Sequence, residues 1–580
     1  MKKQLTAKKI SEFLYTGIIS IFSLAIILYL IFLSCISTSH INNQEKTYYV
    51  SDSPFRLIIP MILLSALGVF LLRFAQVRDF IHKINNNKRI YLLIRTLLLI
   101  IIGGFALFWV LNSKIVPVAD QSTVQRAATA FLNGDFSLLD NDQYAGVYQN
   151  QLGFIGFSMV MQKIFGTEAF VIIQVINVFA LVMLYREMCE ICSLLGIHRI
   201  IHLLLLVEAM LFFPAYLYCS FVYGNIIGLA LSVFAIRHEI NYLKNGKVFN
   251  AVLSSIGIIL AIMAKQNYLV FAIGMLLAAV KEIFGKKKVA AVSMSFMTVF
   301  SLIIASSLPA ATAREYTGKA LDQGANSWSW IAMGLQESNM APGWYNAYNW
   351  KSYFNNGCNS EAQGEEAKHT ALSRLNYFRQ NPGYALMFFT RKTASQWNNP
   401  TFQCFWTVRL RQNIVKDQTV VEFFKKYKHI DTIAGSLNVL HFLILFGSLL
   451  YLVFCRKEKF FSSSLILFMI FVGGFVFHLF WEGKCQYVLS YFMLLLPYAA
   501  TGFGYTIRSI YQLIETKGTE KYEAVSKPFL KDVKLFIILV TATFAILSLV
   551  YGGHRADTLW QDTQTYGQYL ADSIEQDNAK

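Results

Sequence analysis

Apolar runs separated by short polar breaks recur along almost the whole chain. Runs of this length cross roughly 30 Å of hydrocarbon as single helices. The pattern predicts spans at 14–36, 55–76, 90–112, 168–186, 199–219, 221–238, 249–264, 266–282, 289–309, 433–455, 461–481, 485–508 and 533–552, about thirteen in all. Leu152–Phe165 is also apolar, but it is short and contains Gly153, Gly156 and Lys163. It reads as a helix lying along the surface without crossing. Two polar stretches interrupt the series. One, 113–167, mixes polar, turn-forming and aromatic residues directly after a span. The other, 311–432, is too long and too well patterned for a linker and is expected to pack as a small lid domain rich in aromatics, among them Trp328, Trp330, Trp344 and Trp350.

Composition agrees with this pattern. The 580 residues are 55% hydrophobic and only 15% charged, with a mean hydropathy of +0.45, too little charge to cover a soluble domain. The expected fold class is an all-α polytopic protein of the cell membrane. Met1–Lys9 is basic and Phe13–Ile36 apolar, as in a secretory signal. The apolar run is too long for a signal core and no small-x-small site follows, so it is expected to stay as the first span.

The net charge of +17 does not indicate nucleic acid, because the basic residues sit in short clusters between spans. Such clusters face anionic lipid on the cytoplasmic side. If 152–165 does not cross, the clusters Lys2–Lys9, Arg78–Arg89, Arg186–Arg199, Arg237–Lys247, Lys281–Lys288, Arg456–Lys459 and Arg508–Lys531 all fall on one side. The N-terminus is then cytoplasmic. The loops 113–167 and 311–432 and the tail 553–580 share the outer face. The chain divides into two additional N-terminal spans (1–89), a transmembrane core (90–310), the outer loop domain (311–432), C-terminal transmembrane helices (433–552) and the tail. Cys189 and Cys192 form a lone CxxC without a partner pair, which disfavours zinc. Cys358 and Cys404 share a loop and could bridge, but their spacing does not demand it.

Several residues in the outer loops carry candidate chemistry. Asp120 is the first acid past a span and precedes a helix-like run with Gln121 and Arg126 close by; it reads either as an N-cap or as a functional acid, and its polar neighbours favour function. Tyr144, Gln149 and Gln151 could hydrogen-bond a sugar or simply sit at the membrane interface. Lys265 interrupts an apolar run at an outer turn; it could snorkel, but the other short outer loops lack cations, which favours anion binding. His478 and Glu482 lie one helical turn apart and are expected to share a face, as a structural hydrogen bond rather than a metal site. Lys484 and Tyr487 point to a polar pocket, against the alternative of an interfacial Trp/Tyr/Lys belt. In the loop domain, Pro342–Asn346 and Lys392–Pro400, including Trp397, could form a core or stack on a sugar ring or an isoprenoid chain.

With Ala119-Asp120-Gln121 after a span, a surface helix ending in Phe165-Gly166, a run of further spans, a large outer loop and the late Trp481-Glu482-Gly483-Lys484 with Tyr487, the chain resembles the GT-C glycosyltransferases over about 90–510. These are membrane enzymes that use lipid-phosphate sugars, such as protein O-mannosyltransferases, aminoarabinose transferases and bacterial cell-surface polysaccharide members. The resemblance implies a polyprenyl-phosphate sugar donor, a cell-envelope glycan or teichoic-acid-type acceptor, and Asp120 as general base. Gln121, Tyr144, Gln151, Lys265, Glu482, Lys484, Tyr487 and Trp397 would bind substrate. The chain departs from the pattern in its two additional spans, in Gln121 where many relatives carry a second acid, and in Gln486 where Arg is expected. No cofactor is required by the residues, and a divalent cation (Mg or Mn) stays open. A flippase or transporter for lipid-linked saccharides and an envelope polysaccharide polymerase are the competing readings.

Overall fold

The computed structural model describes residues 2–42, 45–285, 287–406 and 427–552. It is 79% helical, and the sheet among the described residues is a single antiparallel hairpin, Ser37–Ile41 paired with Thr47–Ser51. Helices dominate because a chain in hydrocarbon must satisfy its backbone groups internally. Eight of the described helices are long and apolar enough to cross a bilayer. Two bent pairs raise the number to ten: Arg199–Leu211 with Phe213–Ser220, bent by 65°, and Cys485–Met493 with Leu496–Glu515, bent by 46°. A proline, Pro214 or Pro497, stands in the first turn after each break, where its missing N–H is harmless but its ring prevents the preceding residues from continuing the helix.

The count of eight to ten is lower than the thirteen runs expected from hydropathy. The apolar runs 249–264 and 266–282 are helices Val248–Ala264 and Leu269–Glu282, of 17 and 14 residues. At 1.5 Å per residue these reach about 26 and 21 Å, short of the roughly 30 Å core. The apolar part of Phe461–Phe480 is likewise short, Ile466–Phe480. Leu152–Phe165 is a 14-residue helix.

At the centre, helix Tyr427–Phe454 crosses Leu496–Glu515 at very close range. A Cβ on Gly502 would lie 2.0 Å from the Gly447 carbonyl oxygen, so only hydrogen fits there, as in the small-residue crossings typical of membrane helices. Pro54–Leu71 and Tyr522–Gly552 lie on the rim and turn Leu63, Leu64, Ile538 and Leu549 outward. The first helix, Lys2–Ile36, buries Ile27, Leu30 and Leu33 in the bundle, and its Thr16 donates to Ser462 at 3.1 Å.

The hairpin that follows is stitched to distant parts of the chain. The Ser39 N–H donates to the Asn398 carbonyl (3.0 Å) and the Thr47 N–H to that of Met340 (2.9 Å). The Tyr49 hydroxyl donates to the Arg391 carbonyl (2.9 Å), and Asn438 Nδ2 to Thr38 Oγ1 (2.9 Å). Helices Ser327–Gly334, Tyr348–Asn355, Ser360–Gln380 and Pro382–Trp397 occupy the large polar stretch and share a small apolar cluster that includes Ala332, Ala371, Phe378 and Phe388. Lys392 fastens this segment to the bundle: fully buried, it donates to the carbonyls of Gly334 (2.5 Å), Leu479 (3.0 Å) and Trp481 (2.8 Å). Burial brings its pKa down to about 7, with Glu482 opposing. Residues 407–426 of the polar stretch, Lys286 and the tail from 553 lie outside the described residues.

Cys358 and Cys404, whose spacing left a bridge open, are both free thiols.

Candidate active site

One cavity of about 990 Å³ opens where loop 113–151, the turn at Lys265, the turn at 481–484 and the aromatic segment meet. It draws together Asp120, Gln121, Tyr144, Gln151, Lys265, Glu482, Lys484 and Tyr487, eight residues spread over more than 350 positions of sequence. Trp397 is not among its walls. It is 1% exposed and packs against Phe471 and Phe475 at 5.5 and 5.4 Å, so of the two readings left open for it, the core one holds. The polar residues of the Lys392–Pro400 stretch serve the hairpin and the helix ends.

Asp120 opens helix Asp120–Leu132 but does not cap it. The N-cap position belongs to Ala119, at φ 45° and ψ −130°, with no side-chain cap. A non-glycine residue in that region costs of order 1–3 kcal/mol, and Asp120 after it lines the cavity. There it accepts a hydrogen bond from the Tyr223 hydroxyl at 3.4 Å. Burial raises its pKa, against Lys484, the Tyr223 hydrogen bond and Lys265, which lower it. Gln121 is a tie rather than an open ligand: buried, its Oε1 accepts the Val222 N–H at 2.8 Å and locks the first loop to the 221–224 turn. Tyr144 shares a hydrogen bond with the Tyr223 hydroxyl (3.3 Å).

Lys265 stands between two helices, held by a turn that needs a glycine. Gly224 has φ +77°, and a Cβ there would meet the Ala264 carbonyl oxygen at 2.1 Å. That close approach brings Lys265 Nζ to Asn225 Oδ1 at 2.8 Å and over the rings of Tyr223 and Tyr487 at 4.9 and 5.3 Å. Among the described residues no carboxylate pairs with it. Burial, with repulsion from Lys484, lowers its pKa to about 7. Lys484 is different. Its Nζ lies 2.7 Å from the Glu45 carboxylate and 5.6 Å from the Trp406 ring centroid. Burial opposes its charge, but Glu45, Glu482 and Asp120 together hold the pKa above the ordinary lysine value.

The expected shared helical face of His478 and Glu482 does not form. The helix ends at Phe480 with Trp481 as its C-cap, so Glu482 lies beyond the last turn and faces the cavity, while His478 turns inward against Tyr487 and Tyr491. Burial raises the Glu482 pKa to about 7, with Lys484 opposing and Asp120 and Glu45 adding to the rise. Among the described residues there is no group of three or more His, Cys, Asp or Glu side chains placed to hold a metal ion. The acids around the cavity surround an ammonium rather than converge on one point.

No family model matches the chain, and no curated protein or solved structure matches it either. The cavity is therefore read on its own chemistry.

Several wall residues escaped the sequence reading. Tyr223 joins Asp120, Tyr144 and Lys265, yet it sits in an apolar run that looked like plain span. Glu45 arrives from the hairpin between the first two spans, where no local motif marks it. Tyr148, also missed, joins Trp330, Trp350 and Trp481, which the sequence does mark, in an aromatic wall: Tyr148 lies 6.1 and 5.9 Å from the rings of Trp330 and Trp350, and Trp330 stacks on Trp481 at 5.9 Å with planes 2° apart. A further flank is apolar, made of Ile262, Met263, Leu269, Val270, Ala305 and Phe477 from four bundle helices. One cavity thus has a charged centre, an aromatic wall and an apolar flank.

Proposed function

We propose that the protein is an integral membrane glycosyltransferase of GT-C type. It moves a monosaccharide from a polyprenyl-phosphate donor to a cell-envelope polysaccharide or teichoic-acid-type acceptor, with inversion. The observation that carries this reading is the meeting of Asp120, Lys265 and Lys484 in a cavity flanked by apolar bundle helices. The opposite ends of those helices carry Lys247, Lys281 and the Arg456–Lys459 group. By the positive-inside rule that end is cytoplasmic and the cavity extracytoplasmic, in a fold of about thirteen membrane helices if the short ones are included.

In this reading the lipid tail rests on the apolar flank and the sugar stacks on the aromatic wall. Lys265 and Lys484 face the phosphate. Asp120, its basicity raised by burial, takes the proton of the acceptor hydroxyl as that oxygen attacks the anomeric carbon. The bond from that carbon to the phosphate oxygen breaks, and the electron pair leaves with the phosphate. Such a leaving group needs a cation more than a proton, so a single base suffices. Glu482, with a pKa near 7, is placed to donate a hydrogen bond to a sugar hydroxyl.

A lipid-linked saccharide transporter is the second reading, favoured by the two broken helices, since such breaks mark transport sites. The first break works against it: Phe212 there packs on the rings of Phe402 and Phe492 at 5.9 and 6.2 Å and is not among the residues that line the cavity. The test is reconstituted protein given a polyprenyl-phosphate monosaccharide and envelope glycan. Release of polyprenyl phosphate coupled to glycan labelling, abolished in Asp120→Asn with lipid binding intact, supports the transferase. Movement of intact lipid between leaflets without release supports the transporter.

A further inference from the structure

The two cations of the cavity are not equivalent. Lys265 is held by the neutral Asn225 amide and two tyrosine rings, and among the described residues no carboxylate forms an ion pair with it; Asp120 and Glu482 act on it only from farther off. Lys484 already has an anion, the Glu45 carboxylate at 2.7 Å. Glu45 is well supported in that place. It sits at the hairpin tip with φ +62°, its carboxylate also accepts from Gln403 Nε2, and the strands behind it are bonded to Met340, Asn398 and Asn438. The Glu45 and Lys484 side chains are each less than a fifth exposed, so water screens the pair weakly. The cavity therefore offers an incoming ligand one cation outside an ion pair, not two.

Resting on the glycosyltransferase reading, we infer that Glu45 is a specificity-determining residue: by occupying Lys484 it sets the cavity to accept a donor with a single phosphate and to reject one with a diphosphate. A phosphodiester-linked sugar carries one negative charge, which Lys265 matches. A diphosphate-linked sugar brings a second, which would have to lie beside Glu45 and Asp120. Two buried like charges a few ångströms apart repel strongly at the effective dielectric of a protein interior. Glu45 is supplied by the N-terminal hairpin, so the segment before the core acts on the ligand charge the site tolerates.

The experiment measures binding of two probes to the purified full chain in nanodiscs: a short-chain polyprenyl-phosphate hexose and the matching polyprenyl-diphosphate hexose. The wild type is expected to prefer the monophosphate. Glu45→Gln keeps the hydrogen bond with Gln403 but frees the second cation, and should raise diphosphate affinity relative to monophosphate by about tenfold or more. Glu45→Asp, which keeps the charge, should retain the wild-type preference. Equal binding of both probes by the wild type overturns the inference, even if Glu45→Gln does not fold. So does an unchanged ratio in a folded Glu45→Gln. Because the readout is binding, it is separate from the parent reading: absence of sugar transfer from the monophosphate would sink the transferase while leaving the charge selectivity standing or falling by itself.

Discussion

Replacing Lys265 by Gln separates an anion-binding lysine from one that merely snorkels. Gln still offers an N–H to Asn225 Oδ1, which now accepts from Nζ at 2.8 Å, so the substitution removes a half-buried charge and leaves no orphan acceptor. An ammonium that is partly in water and outside any ion pair among the described residues adds little to the fold, and thermal stability should hold. Donor affinity should fall. A phosphate oxygen about 4 Å from the charge interacts by about 4 kcal/mol at an effective dielectric of 20, as a ceiling. Hydrogen bonds to charged groups keep about 1.5–3 kcal/mol net, so affinity for a polyprenyl-phosphate hexose should drop roughly 10- to 150-fold.

The pH dependence gives a second handle on the same charge. In the free protein Lys265 has a pKa of about 7, and a bound anion raises it. Below pH 7 the lysine is charged before and after binding, and affinity is full. Above pH 7 binding must draw a proton from solvent, so affinity falls up to tenfold per unit until the bound-state pKa is reached. Ionisation of Glu482, also near pH 7, pushes the same way, and Lys265→Gln with Glu482→Gln should abolish the slope. Binding measured in nanodiscs from pH 6 to 9.5 tests this. A Lys265→Gln variant that binds like wild type at pH 6 and melts at a lower temperature would refute the argument and make the lysine structural.

Trp397→Ala should cost about 3–5 kcal/mol of stability, because its ring fills the core between Phe471 and Phe475; at a temperature where the variant stays folded, its KM for donor should match wild type. Gly502→Val places a side chain against the Gly447 carbonyl and should force the central helices apart at a cost of about 1–3 kcal/mol, read as a lower melting temperature in detergent. Asp120→Asn should lose turnover while donor binding changes little, which transfer and binding assays on one preparation would show.

Much of this was legible in the sequence. Hydropathy reveals the helices, and the polar interruptions at Asp120, Lys265 and Glu482–Tyr487 mark the residues that meet in one cavity. Hydropathy marks apolar runs without fixing which of them cross, and Leu269–Glu282 is shorter than a bilayer. Periodicity misled at His478 and Glu482, because spacing cannot reveal that the helix stops at Phe480. The alternative reading of Asp120 as a cap fails because an unusual backbone at Ala119 takes that position. Glu45 was invisible for a different reason: its partner is Lys484, more than 400 positions later, and no local pattern encodes such a meeting.

That distance bears on how the molecule is made. The hairpin leaves the ribosome with the first fifty residues, whereas Met340, Asn398, Asn438 and Lys484, which hold it, emerge much later. At about 5–20 residues per second the early strands wait tens of seconds for their partners. During that interval their N–H and C=O groups have only each other and water. The cavity is thus finished last, and a nascent chain halted before residue 438 would carry most of its membrane anchors but no closed cavity.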